Sequence, residues 1–157
     1  MPLLDQLLQT IPIERGQAGS KKRALQALST LLAGGGAAIS EHQVFDGLVA
    51  RERLGSTGLG FGVAIPHGRL AGIEHTVGAL LVLESGVDFD APDGLPVDLL
   101  FGLLVPEACN DEHLQILAGL AELFGNAQLR SELRASDDPE VLREALFAGR
   151  AHLARSA

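Results

Sequence analysis

The chain has 157 residues, of which 46% are hydrophobic and 20% are charged. This length and composition predict a folded globular domain with an ordinary hydrophobic core and exclude an intrinsically disordered chain. Twelve lysine and arginine residues against twenty aspartate and glutamate residues give a formal net charge of −8. Because no basic block interrupts this acidic excess, the chain is a poor candidate for a general nucleic-acid-binding protein.

Cysteine content and hydropathy exclude further classes of protein. Cys109 is the only cysteine, which excludes an internal disulfide and a cysteine-based zinc site. No apolar run approaches the roughly 20 residues that a membrane helix needs, and the N-terminal residues lack the basic start of a signal peptide. We expect a cytoplasmic protein without membrane insertion, forming a single domain over residues 1–157 with its core at about 3–148.

The predicted elements mix helices with strands. In chain order we expect a helix over 3–8, a strand over 11–16, helices over 20–36 and 40–55, a strand over 63–65 that stops at Pro66, strands over 75–84 and 97–106, and helices over 110–125, 126–135 and 138–148. The strand VDLLFGLLVP is nearly all apolar, which is typical of a strand covered on both faces. The pattern therefore predicts an α/β layered fold, and the tail after Gly149 carries no recognisable pattern.

Helix-end signals support two of these helices. Ser20 is the predicted N-cap of the second helix, which Gly34–Gly36 end. The basic residues 21–23 in its first turn are expected to form a solvated face. Ser40 and Gln43 form a predicted capping box at the start of the third helix.

The stretch Val49–Leu70 reads VARERLGSTGLGFGVAIPHGRL and contains an Arg-Glu-Arg triplet, a Ser-Thr pair, four spaced glycines and a Pro-His-Gly tripeptide. A dinucleotide-binding loop needs a strand before its glycines and a helix after them. Here the order is reversed, which disfavours nucleotide binding. The glycines either supply turns with positive φ, or let backbone N–H groups and the Ser56 and Thr57 hydroxyls approach a ligand closely.

His67 is the candidate reactive residue of this stretch. It lies between Pro66, which fixes the backbone, and Gly68, whose N–H has no side chain beside it. Neutral imidazole is a good nucleophile towards phosphorus near pH 7. The phosphorylated ring needs fixed donors, which an always-charged arginine and backbone N–H groups can provide. We predict that His67 carries a phosphoryl group that Arg51 helps to hold; a solvated loop histidine is the alternative.

His113 is the second informative histidine. Positions 113, 117, 120 and 124 share one face of the predicted helix, and the last three are apolar, so His113 is expected to point inward in the first turn. One interpretation is a core histidine bonded to a carbonyl. The other is a donor to a phosphoryl oxygen beside His67, at a helix start that favours an anion.

Competing chemistries find little support. Cys109 and His113 have no second ligand pair, so no metal site is predicted. No G-x-S-x-G element is present. Asp111 and Glu112 fit helix N-terminal charges better than a glycosidase carboxylate pair.

Three separated motifs resemble one family. GxGVAIPHGRL around His67, RE at Arg51–Glu52 and EHLQIL around His113 resemble the EIIA domains of the bacterial phosphotransferase system, fructose/mannitol type. The blocks RERLGSTGLGFGVAIPHGRL and FDAPDGLPVDLLFGLLVPE are most similar to the nitrogen-regulatory branch. The resemblance covers roughly residues 3–148.

The resemblance implies a single α/β domain with a mixed β-sheet flanked by helices. It implies that a phosphocarrier protein of the HPr or NPr kind phosphorylates His67, and that Arg51 and His113 support the phosphate. It places three further residues in the phosphate-binding loop: Ser56, Thr57 and Gly68. It implies no nucleotide cofactor and no metal.

Three functions stay open at this point. The resemblance favours a phosphorylation-switched regulator of partner proteins. The first alternative is a sugar-specific EIIA that passes phosphate to a separate EIIB of a fructose/mannitol-type permease. The second is an interaction module that has lost phosphotransfer, against which the intact Arg51, His67 and His113 argue. Leu59, Phe61 and Leu70 form either an apolar rim that docks the carrier or simple packing of the loop.

Overall fold

The computed structural model describes residues 2–34, 39–108 and 111–156. Its helices are α1 (Pro2–Thr10), α2 (Lys21–Ala33), α3 (Glu41–Glu52), α4 (Asp111–Phe124), α5 (Ala127–Ala135) and α6 (Pro139–Ser156). Its strands are β1 (Ile13–Gly16), β2 (Gly58–Gly60), β3 (Val63–Ala64), β4 (His67–Leu70), β5 (Val77–Val87) and β6 (Val97–Pro106). Cys109, considered above as a candidate metal ligand, and Asn110, the first residue of the predicted helix over 110–125, lie outside the described residues, as do Gly35 and Gly36.

The strands form one mixed sheet in the order β1-β5-β6-β3-β2, with β4 also paired to β6. β1 runs parallel to β5, and both β3 and β4 run parallel to β6. The long β5 and β6 are antiparallel neighbours, and β2 turns back antiparallel to β3. This arrangement confirms the expected α/β fold with a mixed sheet.

β3 and β4 behave as one strand interrupted at Pro66. Val63 pairs with Leu99 and His67 pairs with Leu103, which is the same register on β6. Pro66 has no N–H and cannot donate to the ladder. Its carbonyl still accepts the Leu103 N–H at 3.0 Å. The predicted strand does end before Pro66, at Ala64, but the sequence analysis does not predict that pairing resumes at His67 as β4.

Alternation along β6 sends side chains to opposite layers of helices. Leu99, Phe101 and Leu103 belong to the core cluster beneath α1, α4, α5 and α6. Leu100 and Leu104 belong to a separate cluster beneath α2 and α3. The sheet is thus covered on both faces, as the apolar run over 97–106 predicts.

The predicted helix ends hold where they are described. Ser20 accepts the Arg23 N–H at 3.2 Å as N-cap of α2, and Gly34 is its C-cap. Ser40 and Gln43 make the reciprocal bonds of a capping box at the start of α3. Among the described residues, none of the helices is long and apolar enough to cross a bilayer.

Two further elements differ from expectation. The glycine-rich loop contains β2, and Gly58 lies against Ala91 with room for no β-carbon. α6 runs past Ala148 to Ser156 instead of ending there. Gly149 lies inside the helix as a packing glycine: a β-carbon on it would lie 2.9 Å from the Leu123 side chain. Beyond it, Leu153 still packs against the core.

Candidate functional site

β4 directs two polar side chains towards the start of α4. Residues two apart on a strand face the same side. His67 pairs with Leu103 and Arg69 pairs with Val105, and both partners belong to the core cluster that contains α4 residues. His67 and Arg69 therefore share the face of the sheet on which α4 lies.

His113 is buried in the first turn of α4, which confirms the predicted inward orientation. A guanidinium nitrogen of Arg69, Nη2, lies 3.0 Å from its Nε2. Because a guanidinium has only donors, Nε2 of His113 is the acceptor in this contact and carries a lone pair. Arg69 therefore contacts His113 directly, and the sequence analysis does not identify Arg69 as a site residue.

The His67 ring is half-buried and fixed by one backbone contact. Its Nδ1 lies 2.8 Å from the carbonyl oxygen of Ile65. A carbonyl oxygen only accepts, so Nδ1 carries the proton and donates it. In the neutral ring this leaves the lone pair on Nε2.

Several groups act on the pKa of His67. Burial of the ring is the largest influence and lowers the pKa, whereas the bond to the Ile65 carbonyl raises it. The Arg51 guanidinium lowers it, the Glu52 carboxylate raises it and the His113 ring lowers it. The pKa ends below the ordinary value of 6.5, so the ring is neutral near pH 7. Arg51 and His113, predicted from separate motifs, are both close enough to act on His67.

Arg51 occupies the last turn of α3, where the helix dipole favours a cation. Its Nη1 donates to the carbonyl oxygen of Gly55 at 2.9 Å. The guanidinium therefore ties the loop after α3 to the helix that carries it, and its remaining donors are available to an anion.

The two loop hydroxyls already have protein partners. Ser56 donates to the Phe89 carbonyl at 2.8 Å and accepts the Gly58 N–H at 3.0 Å. Thr57 is buried, and its hydroxyl and N–H both donate to the Glu52 carboxylate. These bonds shape the loop beside Arg51; direct phosphate contacts from Ser56 and Thr57 stay a prediction.

Glu52 is the buried centre of a small polar network. Besides the Thr57 donors, it faces Lys21 Nζ at 3.0 Å, and its side chain is only 5% exposed. Lys21 also donates to the Phe89 carbonyl and lies 4.6 Å from the centre of the Phe89 ring. The predicted solvated face on α2 is thus wrong for Lys21, because α3 presents a carboxylate to it.

Gly68 brings the two halves of the site together. A β-carbon on Gly68 would lie 3.2 Å from the carbonyl carbon and oxygen of Gly47 in α3. The absence of a side chain lets α3, which carries Arg51, approach β4, which carries His67. Its predicted place in the phosphate-binding loop stays a prediction.

The predicted apolar rim divides between two places. Leu70 packs against the cluster beneath α2 and α3, in contact with Gly47. Leu59 and Phe61 are 42% and 63% exposed, but they lie on the β2–β3 hairpin, beyond the end of β3 that is remote from His67. Nearer in the chain to Arg51 and His113 are Leu54 and Leu114, which are 83% and 58% exposed.

Sequence reasoning missed Arg69 and the Lys21–Glu52 pair. The alternation His67-Gly68-Arg69 would have placed Arg69 beside His67, had residues after Pro66 been assigned to a strand. Lys21 and Glu52 carry no such signal, because they are 31 residues apart in the sequence. Within the described part of the chain, no group of three or more His, Cys, Asp or Glu side chains is arranged to hold a metal ion.

Comparison with known proteins matches this chain to one family. Residues 6–148 match the family model described as phosphoenolpyruvate-dependent sugar phosphotransferase system, EIIA 2. A nitrogen regulatory protein from Pseudomonas aeruginosa is 49% identical over 124 residues, 79% of this chain and 80% of that protein. A fructose-specific EIIA component from Haloferax volcanii is 32% identical over 139 residues, 88% of this chain and 90% of that protein.

Comparison with a solved structure also matches the chain to a nitrogen regulatory protein. The crystal structure of nitrogen regulatory protein IIA-Ntr from Neisseria meningitidis superposes with a TM-score of 0.83 at 42% identity, covering 90% of this chain and 99% of that one. The chain therefore belongs to the EIIA 2 family of the phosphoenolpyruvate-dependent sugar phosphotransferase system, where it is a nitrogen-regulatory EIIA-like protein.

Proposed function

We propose that this protein accepts a phosphoryl group on Nε2 of His67 from a phosphohistidine carrier of the HPr or NPr kind, and that its phosphorylation state controls binding to partner proteins. The observation that carries the proposal is the fixed His67 ring. Its Nδ1 proton is held by the Ile65 carbonyl, so the nucleophilic lone pair is on Nε2.

The transfer balances without a cofactor. The Nε2 lone pair of His67 forms a bond to phosphorus as the P–N bond of the donor phosphohistidine breaks, and the donor ring leaves with that electron pair. His67 keeps its Nδ1 proton, so the phosphorylated ring is an imidazolium whose charge the Ile65 carbonyl stabilises. Catalysis then consists of positioning and charge stabilisation, with no nucleotide and no metal taking part.

Arg51 supports the incoming phosphoryl group by charge. Its positive charge acts on the unphosphorylated His67 ring and lowers the pKa of that ring. The same charge stabilises the phosphoryl dianion once it is attached. His113, in α4, also acts on the ring, which supports a second contact to the phosphate.

Regulation follows from the charge that the phosphate adds. Phosphorylation adds a phosphoryl group with up to two negative charges to the half-buried His67. Leu54 and Leu114, which are close in the chain to Arg51 and His113, are exposed. A partner that binds over His67 meets either a neutral ring or a phosphoryl dianion on a cationic ring, so one state binds and the other is rejected. We assign this regulatory role because the nitrogen regulatory relative is the more similar in sequence.

The labelling test uses a carrier phosphorylated with ³²P. Wild-type protein is expected to take an acid-labile, base-stable label, and His67→Ala to take none. Arg51→Ala and His113→Ala are expected to slow labelling by about 10²-fold, the usual cost of losing one fixed donor. Arg53→Ala, which removes an exposed cation two residues from Arg51, is the matched control. An acid-labile, base-stable label on His67→Ala would overturn the assignment.

The alternative function is delivery of phosphate to a separate EIIB domain of a fructose/mannitol-type permease. We retain this alternative because the relative from Haloferax volcanii is described as a fructose-specific EIIA component. Labelled protein is mixed with purified EIIB domains. Rapid loss of label to an EIIB supports sugar transport, whereas label retained in the presence of EIIB domains supports the regulator. Partner binding is then compared between phosphorylated and unphosphorylated protein.

A further inference from the structure

We propose that Arg69 is a second phosphoryl-binding arginine, which holds His113 in the unphosphorylated protein and moves to the phosphoryl group when His67 is phosphorylated. The inference rests on the proposed function, since it needs a phosphoryl group on His67. The exposed Arg69 side chain then has two contacts: a resting contact with His113 before phosphorylation, and a contact with the phosphoryl group after it.

The strand geometry brings Arg69 within reach of His67. The two residues are two apart on β4 and share one face, so their β-carbons are separated by roughly 7 Å, about two strand rises. An extended arginine side chain spans a comparable distance. Arg69 is exposed, so the side chain can change direction without opening the core.

The resting contact of Arg69 is weak relative to the one proposed. In the structure its Nη2 donates to Nε2 of His113 at 3.0 Å, and the acceptor is a neutral ring. A guanidinium bonds more strongly to an anionic oxygen, and it can bind a phosphoryl group through two N–H donors at once. A dianion on His67 therefore competes with His113 for Arg69.

The movement of Arg69 also affects His113. While Arg69 donates to its Nε2, that nitrogen holds a lone pair and cannot donate to a phosphoryl oxygen. Once Arg69 moves to the phosphoryl group, Nε2 of His113 no longer accepts from it. The movement of Arg69 thus changes the hydrogen bonding of His113 and the environment of the exposed Leu114, the next residue in the chain.

The first measurement is independent of phosphotransfer. Long-range ¹H–¹⁵N NMR spectra of the unphosphorylated full chain report the state of His113 Nε2, which is expected to be an unprotonated acceptor in wild type. Arg69→Ala is expected to move this ¹⁵N resonance, and Arg69→Lys to restore much of it. Arg53→Ala serves as the control. An unchanged His113 resonance in Arg69→Ala overturns the resting contact.

The second measurement is the equilibrium of phosphoryl exchange with a limiting phosphorylated carrier. Arg69→Ala is expected to lower the equilibrium constant about 10-fold or more, as loss of a bond to a charged group does. The same loss is expected when Arg69→Ala is added to His113→Ala, because the proposed contact is with the phosphate itself. A residue that only positions His113 would have no further effect in that background.

The outcomes separate the two proposals. Wild-type protein that takes no label overturns the proposed function, and this inference with it. Labelled wild type with the same equilibrium constant in Arg69→Ala overturns the role of Arg69 alone. An effect of Arg69→Ala that vanishes in the His113→Ala background also overturns it, in favour of simple positioning.

Discussion

The Nδ1 atom of His67 lies 2.8 Å from the carbonyl oxygen of Ile65, only two residues earlier in the chain. The contact spans Pro66, in the break between β3 and β4. It fixes the ring, selects its tautomer and leaves Nε2 as the nucleophilic nitrogen. The chemistry proposed for the site begins with this one bond.

The first prediction concerns the position of the phosphate. Phosphorylation is expected on Nε2 of His67, because the Nδ1 proton is engaged with Ile65. Protein labelled with ¹⁵N-histidine and phosphorylated by the carrier should show ³¹P–¹⁵N coupling to Nε2. Coupling to Nδ1 would contradict the tautomer assigned here, since the Ile65 contact would have to break.

The second prediction concerns the pKa of His67. NMR titration should place it below 6.5, chiefly because the ring is buried. Replacing Arg51 with glutamine should raise the pKa of His67 relative to wild type, since a nearby positive charge no longer opposes protonation. Arg53→Gln is the matched control. A fall in the His67 pKa in Arg51→Gln would show that Arg51 does not act on the ring by charge.

The same shift has a consequence for stability. Near pH 6.5 the unfolded chain binds a proton at His67 more readily than the folded chain does, so stability from this residue falls as pH drops from above 6.5 towards the folded pKa. Urea unfolding of wild type and His67→Ala over this range checks the sign: the variant should show the shallower dependence on pH.

The third prediction concerns the Lys21–Glu52 pair. Lys21→Met should lower the free energy of unfolding by about 3 kcal/mol, because it leaves the Glu52 carboxylate buried without its cation. Lys22→Met, at the exposed neighbouring position, should change it by less than about 0.5 kcal/mol. The double variant Lys21→Met with Glu52→Gln should cost less than the sum of its single changes. Additive costs in urea unfolding would contradict direct coupling.

The fourth prediction concerns the approach of α3 to β4. Gly68→Ala should destabilise the protein by about 1–3 kcal/mol, because the added carbon would press on the Gly47 backbone at 3.2 Å. Labelling of His67 should also slow, since Arg51 moves with α3. Gly19→Ala, where an added β-carbon meets nothing within 4 Å, is the control and should be nearly neutral. Equal stability of the two variants in urea unfolding would contradict the close contact.

Much of the fold could be predicted from local signals. The capping box at Ser40 and Gln43, the N-cap at Ser20 and the strand over 97–106 all appear as expected. These signals are short-range: a cap needs residues three apart, and a buried strand needs a continuous apolar run. The inward orientation of His113 follows in the same way from helical spacing.

The predictions that fail concern residues whose contacts are not local in the sequence. The sequence analysis ends the last helix before Gly149, yet Gly149 lies inside α6, where its lack of a side chain leaves room for Leu123. The sequence predicts a solvated Lys21, yet this residue pairs with Glu52 from another helix. In both cases the deciding contact comes from an element distant in the sequence, which no local pattern reports.

The sequence by itself determined the residue types at the site, the neutral histidine chemistry proposed for His67 and the face on which His113 lies. Only the tertiary structure decided that β4 begins at His67 and that Arg69 joins His113. The physical reason is the register of β6. It continues the pairing past Pro66, turns the next residues into a strand and so places Arg69 on the same face as His67.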